Sequence, residues 1–501
     1  MSTRLFLEWS HWPTFFQKIL ALLTVSLAAQ SGVCATTTLS NFDHTLALKS
    51  DGTVVAWGDG GSGVLGARDP LDAGSLYLSS STTPVAVSVV SDVVAVSAGR
   101  DHNLVLKKDG TVWAWGSSRY GQLGTGQFNI SSYVPVQVPG LADVIAISAG
   151  EMFSAAVTAD GSVWTWGRNK WSSITHGMLG NTGPDSATPT KVSGVSGVKA
   201  VAASQAFMLA LKTDGTVWAW GRNNRGQLGN GVDPKTTPPI GAPAPVLNLT
   251  GITAIAASFE FSMALKSDGT VWVWGDDYYG QLGNGVPVMV PGVNNPGINS
   301  VPKTLSVLSN VVAISAGAFN AAAVKTDGTV WTWGNNSWGQ LGLGTTTQPS
   351  TPVNQVTGLS NVTSIAFGRS YVVAGKSDGS VWSWGKNSSF GALGNGSTTD
   401  SSVPVQVLGT NAVGFLSLLG GSTTSQPDCL FSWAEANFPA FFAPAAAQSQ
   451  SAGPYYYRYY AQTAAYLAVA SDRVLYLGPQ SGNTVLDLGL ASSLYAAAGC
   501  R

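Results

Sequence analysis

Charge is scarce in this chain. Asp, Glu, Lys and Arg make up only 10% of its 501 residues, and 25 basic side chains against 26 acidic ones leave a formal net charge of −1. So thin and even a balance lacks the basic footprint that holds nucleic acid or an anionic membrane, and no nucleic-acid partner is expected. Histidine and cysteine are nearly absent, at 4 and 3 residues. Neither is set at metal-ligand spacing, so no metal and no cofactor is expected. A Gly-x-Ser-x-Gly elbow, a phosphate loop and a His-Glu-x-x-His helix are all missing, so the chain does not read as an enzyme. Long apolar runs are missing as well. The one candidate, Ile19 to Ala29, is too short to span a bilayer comfortably.

What the chain has in quantity is glycine, at 60 residues, and tryptophan, at 18. These are organised in repeats. Lys325-Thr-Asp-Gly-Thr-Val-Trp-Thr-Trp-Gly334, followed by Gly339-Gln-Leu-Gly342, is one of seven copies centred on Trp57, Trp115, Trp166, Trp220, Trp274, Trp333 and Trp384. Successive centres lie 58, 51, 54, 54, 59 and 51 residues apart, the period of an array whose small units bury their faces against one another. Within a copy, Asn103 to Lys107 reads as a strand, Lys108-Asp-Gly110 as a turn and Thr111 to Trp115 as the returning strand. Asp-Gly between two β-rich runs is a strong hairpin signal, because glycine accepts positive φ without steric cost. Alternation puts Trp113 and Trp115 on one face and Val112 and Ala114 on the other. Both faces are apolar, so the sheet must be covered on both sides, and small sheets stacked face to face around an axis do this. That is an all-β, seven-bladed β-propeller. An apolar run such as Val144 to Gly150 precedes each hairpin, and a Pro-Val pair such as Pro135-Val136 or Pro404-Val405 follows it, giving four strands per blade. The Trp-centred hairpins are expected to form the inner part of the blades. The first unit reads as lacking its leading strand, and a surplus stretch near Ala412 to Leu416 is expected to complete it and close the ring.

The pattern Leu-x-x-Asp-Gly-x-Val-Trp-x-Trp-Gly with Gly-Gln-Leu-Gly resembles the regulator-of-chromosome-condensation repeat, over residues 40 to 421. The resemblance implies a seven-bladed propeller that recognises proteins through a face. Its members range from a nuclear guanine-nucleotide exchange factor to secreted inhibitors of β-lactamase. The family often has His just before the second strand. His44 and His102 fit, while Phe153, Phe207, Phe261, Asn320 and Tyr371 replace it elsewhere, which points to a packing position rather than a ligand.

The two ends of the chain read differently. Residues 1–35 resemble a secretory signal: Arg4 and Lys18 are basic, Ile19 to Ala29 is apolar, and Val33-Cys-Ala35 is a small-residue cleavage site. An exported protein, periplasmic or extracellular, is therefore expected, without membrane insertion once the signal is cleaved. The propeller is assigned to 36–421 and a linker to 422–428. Residues 429–501 are read as a small α+β domain, with helices over Leu430 to Asn437 and Val485 to Ala498. Strands are expected at Tyr455 to Tyr460, Ala465 to Ala470 and Val474 to Leu477. Cys429 and Cys500, left as a pair after cleavage, are expected to form a disulfide. This segment resembles a C-terminal module of exported proteobacterial proteins through Trp433-Ala-Glu-Ala-Asn-Phe-Pro439 and Tyr457-Arg-Tyr-Tyr460.

Candidate functional residues are few. The seven turn aspartates, among them Asp268 and Asp327, read as turn formers. Glu151 and Glu260 occupy near-equivalent places two repeats apart and form the one conceivable carboxylate pair, with solvated loop ends the alternative. His176, in an insertion within repeat three, has no ligand partner nearby. The residue before Gly-Gln-Leu-Gly is aromatic at Tyr120, Tyr279, Trp338 and Phe390, with Arg225 and Ser62 breaking the series. Such rings suit sugar or protein binding, or simple packing on the next blade. The loops that differ between copies, at 67–84, 230–245 and 285–302, are the other candidates. The last two should form an apolar ridge containing Ile240, Val286, Val288, Met289 and Val290. The expectation is an exported, monomeric protein-binding module, acting as an inhibitor or as an adhesion or envelope factor. The alternative is a polysaccharide-binding or polysaccharide-degrading propeller, which would set two carboxylates beside the rim aromatics.

Overall fold

The Asp-Gly of each of the seven repeat motifs folds as a hairpin turn in a computed structural model of the chain. The described residues are 39–67, 77–171, 174–175, 177–232, 240–285, 298–412 and 414–419, together with five C-terminal strands between 448 and 490. In each turn the aspartate accepts from the residue two positions on. Asp109 Oδ1, for example, takes the Thr111 amide at 3.0 Å and its hydroxyl at 2.6 Å. Gly110 follows at φ +79°, the region that only glycine enters cheaply. These hydrogen bonds, first from the threonine hydroxyl, hold the carboxyls of Asp109, Asp214, Asp268 and Asp327 below the ordinary value.

The chain divides into two units, one of them Thr36–Gly420. This unit contains seven four-stranded antiparallel sheets, each in simple sequence order. They are the seven blades, numbered one to seven along the chain. The expected inner position of the Trp-centred hairpins is corrected: hairpin strands are the middle two of each sheet, and the leading strands line the axis. Leading strands neighbour one another around the whole ring, from Leu39–Asn41 through Val362–Phe367 and back. The reason is space. Strands converging on an axis leave little room, and the leading strands supply Ala and Ser there, as in Ser148, Ala149, Ala202 and Ala203. The serines also tie neighbours together: Ser97 and Ser148 accept from the Ala149 and Ala203 amides of the following blade, both at 2.9 Å. Within the strands of the blades, proline occurs in the fourth, outer one, as at Pro135, Pro302 and Pro404, where a missing amide donor costs no ladder bond.

Between blades the second tryptophan of each motif is the largest fixture. All seven are fully buried. Each indole N–H donates to a backbone carbonyl in the Gly-x-Leu-Gly loop of the preceding blade, such as Trp166 to Gln122 at 2.9 Å and Trp333 to Gln281 at 2.9 Å. The last glycine of that loop has positive φ, and a Cβ on Gly124 would come within 2.8 Å of the Trp166 indole nitrogen. The motif's two halves are thus one device split across two blades, a large apolar body with a satisfied polar tip.

The ring closes the same way. Trp57 of blade one donates to the Ala392 carbonyl of blade seven at 3.0 Å, and the Thr45 and Tyr371 hydroxyls meet at 2.8 Å. Two sequence expectations are refined here. The first unit has a leading strand of its own, Leu39–Asn41, though only half the usual length. The surplus segment begins with a short 3-10 turn at Thr410–Ala412, so the closing residues lie slightly later. Leu418 donates to Gly379 of blade seven at 2.9 Å and accepts from Ser50 of blade one at 2.7 Å. Leu416 and Leu418 are buried in the cluster that joins Trp57 to Val373, Val381 and Leu393.

In the other unit, strands Gln448–Ala452, Tyr455–Tyr460, Ala465–Ala470, Arg473–Leu477 and Leu486–Leu490 form an antiparallel meander. The helix expected over 485–498 is corrected at Leu486–Leu490, which pairs with Arg473–Leu477. Leu486, Leu488 and Leu490 alternate with Asp487 and Gly489, a period of two that outweighs the helical reading. The expected helix at 430–437, Cys429 and Cys500 lie outside the described residues.

Candidate binding face

Antiparallel topology sends the turns between first and second strands to one face of the propeller, together with the Gly-x-Leu-Gly loops that follow the third strands. The opposite face carries the Asp-Gly turns. On the first face the Gly-x-Leu-Gly loops recur, but the turns between first and second strands do not. The position just after the Gly or Ser that follows each leading strand is Arg100, Glu151, Gln205, Phe259, Ala318 and Arg369, with Phe42 in blade one.

Two cavities open there. One, of about 250 Å³, lies on the axis and is lined at its mouth by Phe42, Glu151, Gln205, Phe259 and Arg369. The other, of about 480 Å³, is lined by Asp43, Tyr279, Phe319, Trp338, Arg369 and Lys386 among others. Arg369 borders both. A line of rings joins them: Phe42–Phe259, Phe259–Phe319 and Phe319–Tyr279 centroids lie 5.8, 5.9 and 4.7 Å apart, and Tyr278 continues from Tyr279 at 4.9 Å. Trp338 stands at the cavity with 42% of its surface exposed.

Of the rim aromatics expected to bind or to pack, three lean on the next blade: Tyr120 on the Arg168 guanidinium at 4.5 Å, Tyr279 on Phe319, and Trp338 on the Lys386 ammonium at 4.4 Å. Trp338 and Phe390 keep large exposed surfaces. Tyr279 and Trp338 share one cavity. Ile240 opens the fourth strand of blade four, its backbone paired with Gly221. It is therefore a strand residue and not a loop tip. Val286, Val288, Met289, Val290 and His176 lie outside the described residues.

Acidic groups on this face are matched to arginines. Buried Glu151 meets Arg100 at 2.7 Å, and Glu260 meets Arg222 and Arg225, both at 3.2 Å. The carboxylate-pair reading is thus replaced by two separate ion-paired groups. Burial pushes Asp277 up to about 6. Among the described residues lining the larger cavity Asp43 is the only carboxylate, one short of the two that glycoside hydrolysis uses.

His44 and His102 are packing residues. Both are fully buried and bridge to the following blade, His44 Nε2 donating to Asn103 at 2.7 Å and His102 Nε2 to Ser154 Oγ at 2.8 Å. Burial lowers both, His102 to about 3. Lys386, Phe42, Phe259 and Phe319 were missed in the sequence. For the three phenylalanines a signal was available in the turns that fail to repeat.

The profile of the RCC1-like domain matches residues 27–240 and 138–425. The chain belongs to the RCC1-like family. Similar RCC1-like proteins include the E3 ubiquitin-protein ligase HERC2 of Homo sapiens, 30% identical over 69% of this chain, which spans 7% of HERC2. The ultraviolet-B receptor UVR8 of Arabidopsis thaliana is 29% identical over 72% of this chain and 79% of its own length. Among solved structures, Prp20p of Saccharomyces cerevisiae, characterised for its binding to Gsp1p and histones, superposes with a TM-score of 0.61. It is 22% identical, covering 78% of this chain and 96% of its own. That likeness speaks for the fold. Among the described residues no helix is long and apolar enough to cross a membrane.

Proposed function

We propose that this RCC1-like chain is an exported, non-catalytic, monomeric module that binds a protein partner through its non-repeating face. The observation that carries the reading is the line of rings from Phe42 to Tyr278, with Trp338 beside it, set on the face whose turns between first and second strands diverge. Aromatic and arginine side chains around a recess are the usual anchors of a protein interface. A rigid ring that displays varied loops is the usual way a propeller carries function. Prp20p, of the same fold, binds proteins, which supports the class of function without naming a target. Export rests on Arg4, the apolar run from Ile19 to Ala29 and the small residues Val33 to Ala35. The irregular loops at 230–245 and 285–302, which follow Gly226–Gly229 and Gly280–Gly283, belong to the proposed surface.

A photo-crosslinking residue placed at Trp338 or Phe259 should yield adducts with a discrete protein in the producing cell. The same residue at Asp109 or Asp327, in the Asp-Gly turns, should not. Equal adducts from both faces, or adducts from the turns alone, would remove the assignment. Amino-terminal sequencing of the secreted protein, with a start at residue 36, tests export separately.

A further inference from the structure

The larger cavity has an unbalanced charge. Lys386 follows the third strand of blade seven, where its amide donates to the Ser370 carbonyl at 3.0 Å. Its ammonium lies 4.4 Å from the centroid of Trp338. Among the described residues no carboxylate lies within ion-pairing distance of it. The other two charges in the wall, Arg369 and Asp43, face each other at 4.0 Å. The cavity therefore carries one positive charge without a counterion, held against an aromatic wall. Such a group suits an incoming carboxylate, since a charge-assisted hydrogen bond at a half-enclosed site is stronger than its neutral counterpart.

The line of rings fixes what accompanies the carboxylate. From Tyr279 the rings pass to Phe319, Phe259 and Phe42 in steps of 4.7, 5.9 and 5.8 Å, ending at the axial mouth. An extended peptide presents alternate side chains on one side about 6.5–7 Å apart. The ring steps are shorter than that spacing, so alternate side chains would rest on and between successive rings of a track that is aromatic along its length. We propose that the cavity and the ring line together bind an extended peptide segment of the partner. An acidic side chain is held at Lys386, and apolar side chains at alternate positions lie along Phe319, Phe259 and Phe42. This rests on the protein-binding reading above and specifies the chemistry of the bound segment.

Random peptides displayed on phage would be panned against the full chain, and enriched sequences remade as fluorescent peptides for anisotropy. Enriched peptides should carry Asp or Glu followed at alternate positions by apolar residues. Changing that acid to its amide should weaken binding about tenfold, the worth of one charge-assisted contact. Lys386→Gln should remove the difference between acid and amide, and Lys386→Arg should keep it, both with unchanged melting. Peptides without the acid–apolar alternation, or acid and amide peptides bound equally, would overturn the proposal while leaving a protein-binding face. If no peptide is enriched and a soluble polysaccharide binds instead, both this proposal and the protein-binding reading fall.

Discussion

The two faces of this propeller are built from the same seven repeats, yet the Asp-Gly turns copy one another while the turns joining first and second strands on the other face do not. On the Asp-Gly face the turns are near-identical, with Thr or Ser capping the aspartate each time and Lys–Asp pairs recurring at Asp51, Asp214, Asp268 and Asp378. On the opposite face, equivalent positions hold Phe, Arg, Glu, Gln or Ala. The difference separates two tasks. Residues that join one blade to the next must meet the same geometry seven times, so they repeat. Residues that meet an outside molecule see no such symmetry.

The joining residues should yield the largest effects. Removing residues 410–419 takes Leu416 and Leu418 out of the closing cluster and leaves Ser50 and Gly379 without their partners. A loss of about 3–6 kcal/mol is expected from the two buried side chains, with cooperative melting well below wild type. Unchanged melting would show that the ring closes without this segment.

A smaller effect comes from His102. Its folded value is depressed to about 3, by burial first and by His44 second. The folded protein therefore keeps it neutral while the unfolded chain takes up a proton below its ordinary 6.5. Stability should be full above pH 6.5 and fall by about 1.4 kcal/mol per pH unit between there and about 3. His44, lowered by burial, adds to the same fall from the same upper limit. Urea midpoints measured from pH 7 to 4 should flatten in a His102→Asn variant. A profile parallel to wild type would place the acid sensitivity elsewhere.

The Asp-Gly face should respond least. Asp268, fully exposed, is lowered to about 2, chiefly by the Thr270 hydroxyl. Its contribution is present above the ordinary 3.8 and fades as pH falls toward 2. Asp268→Asn should cause a small midpoint shift at pH 7 that disappears at pH 2. A shift that persists at pH 2 would point to turn strain rather than to the carboxylate.

The repeating half of the molecule was legible because seven copies vote on each position. The turn aspartates and the buried second tryptophans followed from columns that agree, and the packing role of His44 and His102 from a column that exchanges His for Phe, Asn and Tyr. One error falls where that vote is missing, and the other concerns where the repeated strands sit relative to the axis. Leu486 to Leu490 occurs once, and its short apolar run was read with the wrong period. The hairpins were placed innermost because tryptophan drew attention, whereas the crowded axis selects the small Ala and Ser of the leading strands. At the site, Tyr279 and Trp338 were visible as a rim series. Lys386 was not, because its role arises only when blade seven is set against blade six. Phe42, Phe259 and Phe319 sit at turns whose lack of pattern is itself the mark of the binding face.

Trp333 and Trp338 put the two tasks side by side. Trp333 is fully buried and donates to blade five, and Trp338, in the loop just after it, is 42% exposed at the cavity. Urea unfolding and binding of an enriched acidic peptide, both measured on Trp333→Ala and Trp338→Ala, test the account most directly. Trp333→Ala should lose about 3–5 kcal/mol of stability, as large-to-small core changes do. Trp338→Ala should stay within about 0.5 kcal/mol of wild type and lose peptide binding. A Trp338→Ala variant that binds as wild type, or one as unstable as Trp333→Ala, would contradict the division between repeated residues that hold the ring and divergent residues that bind.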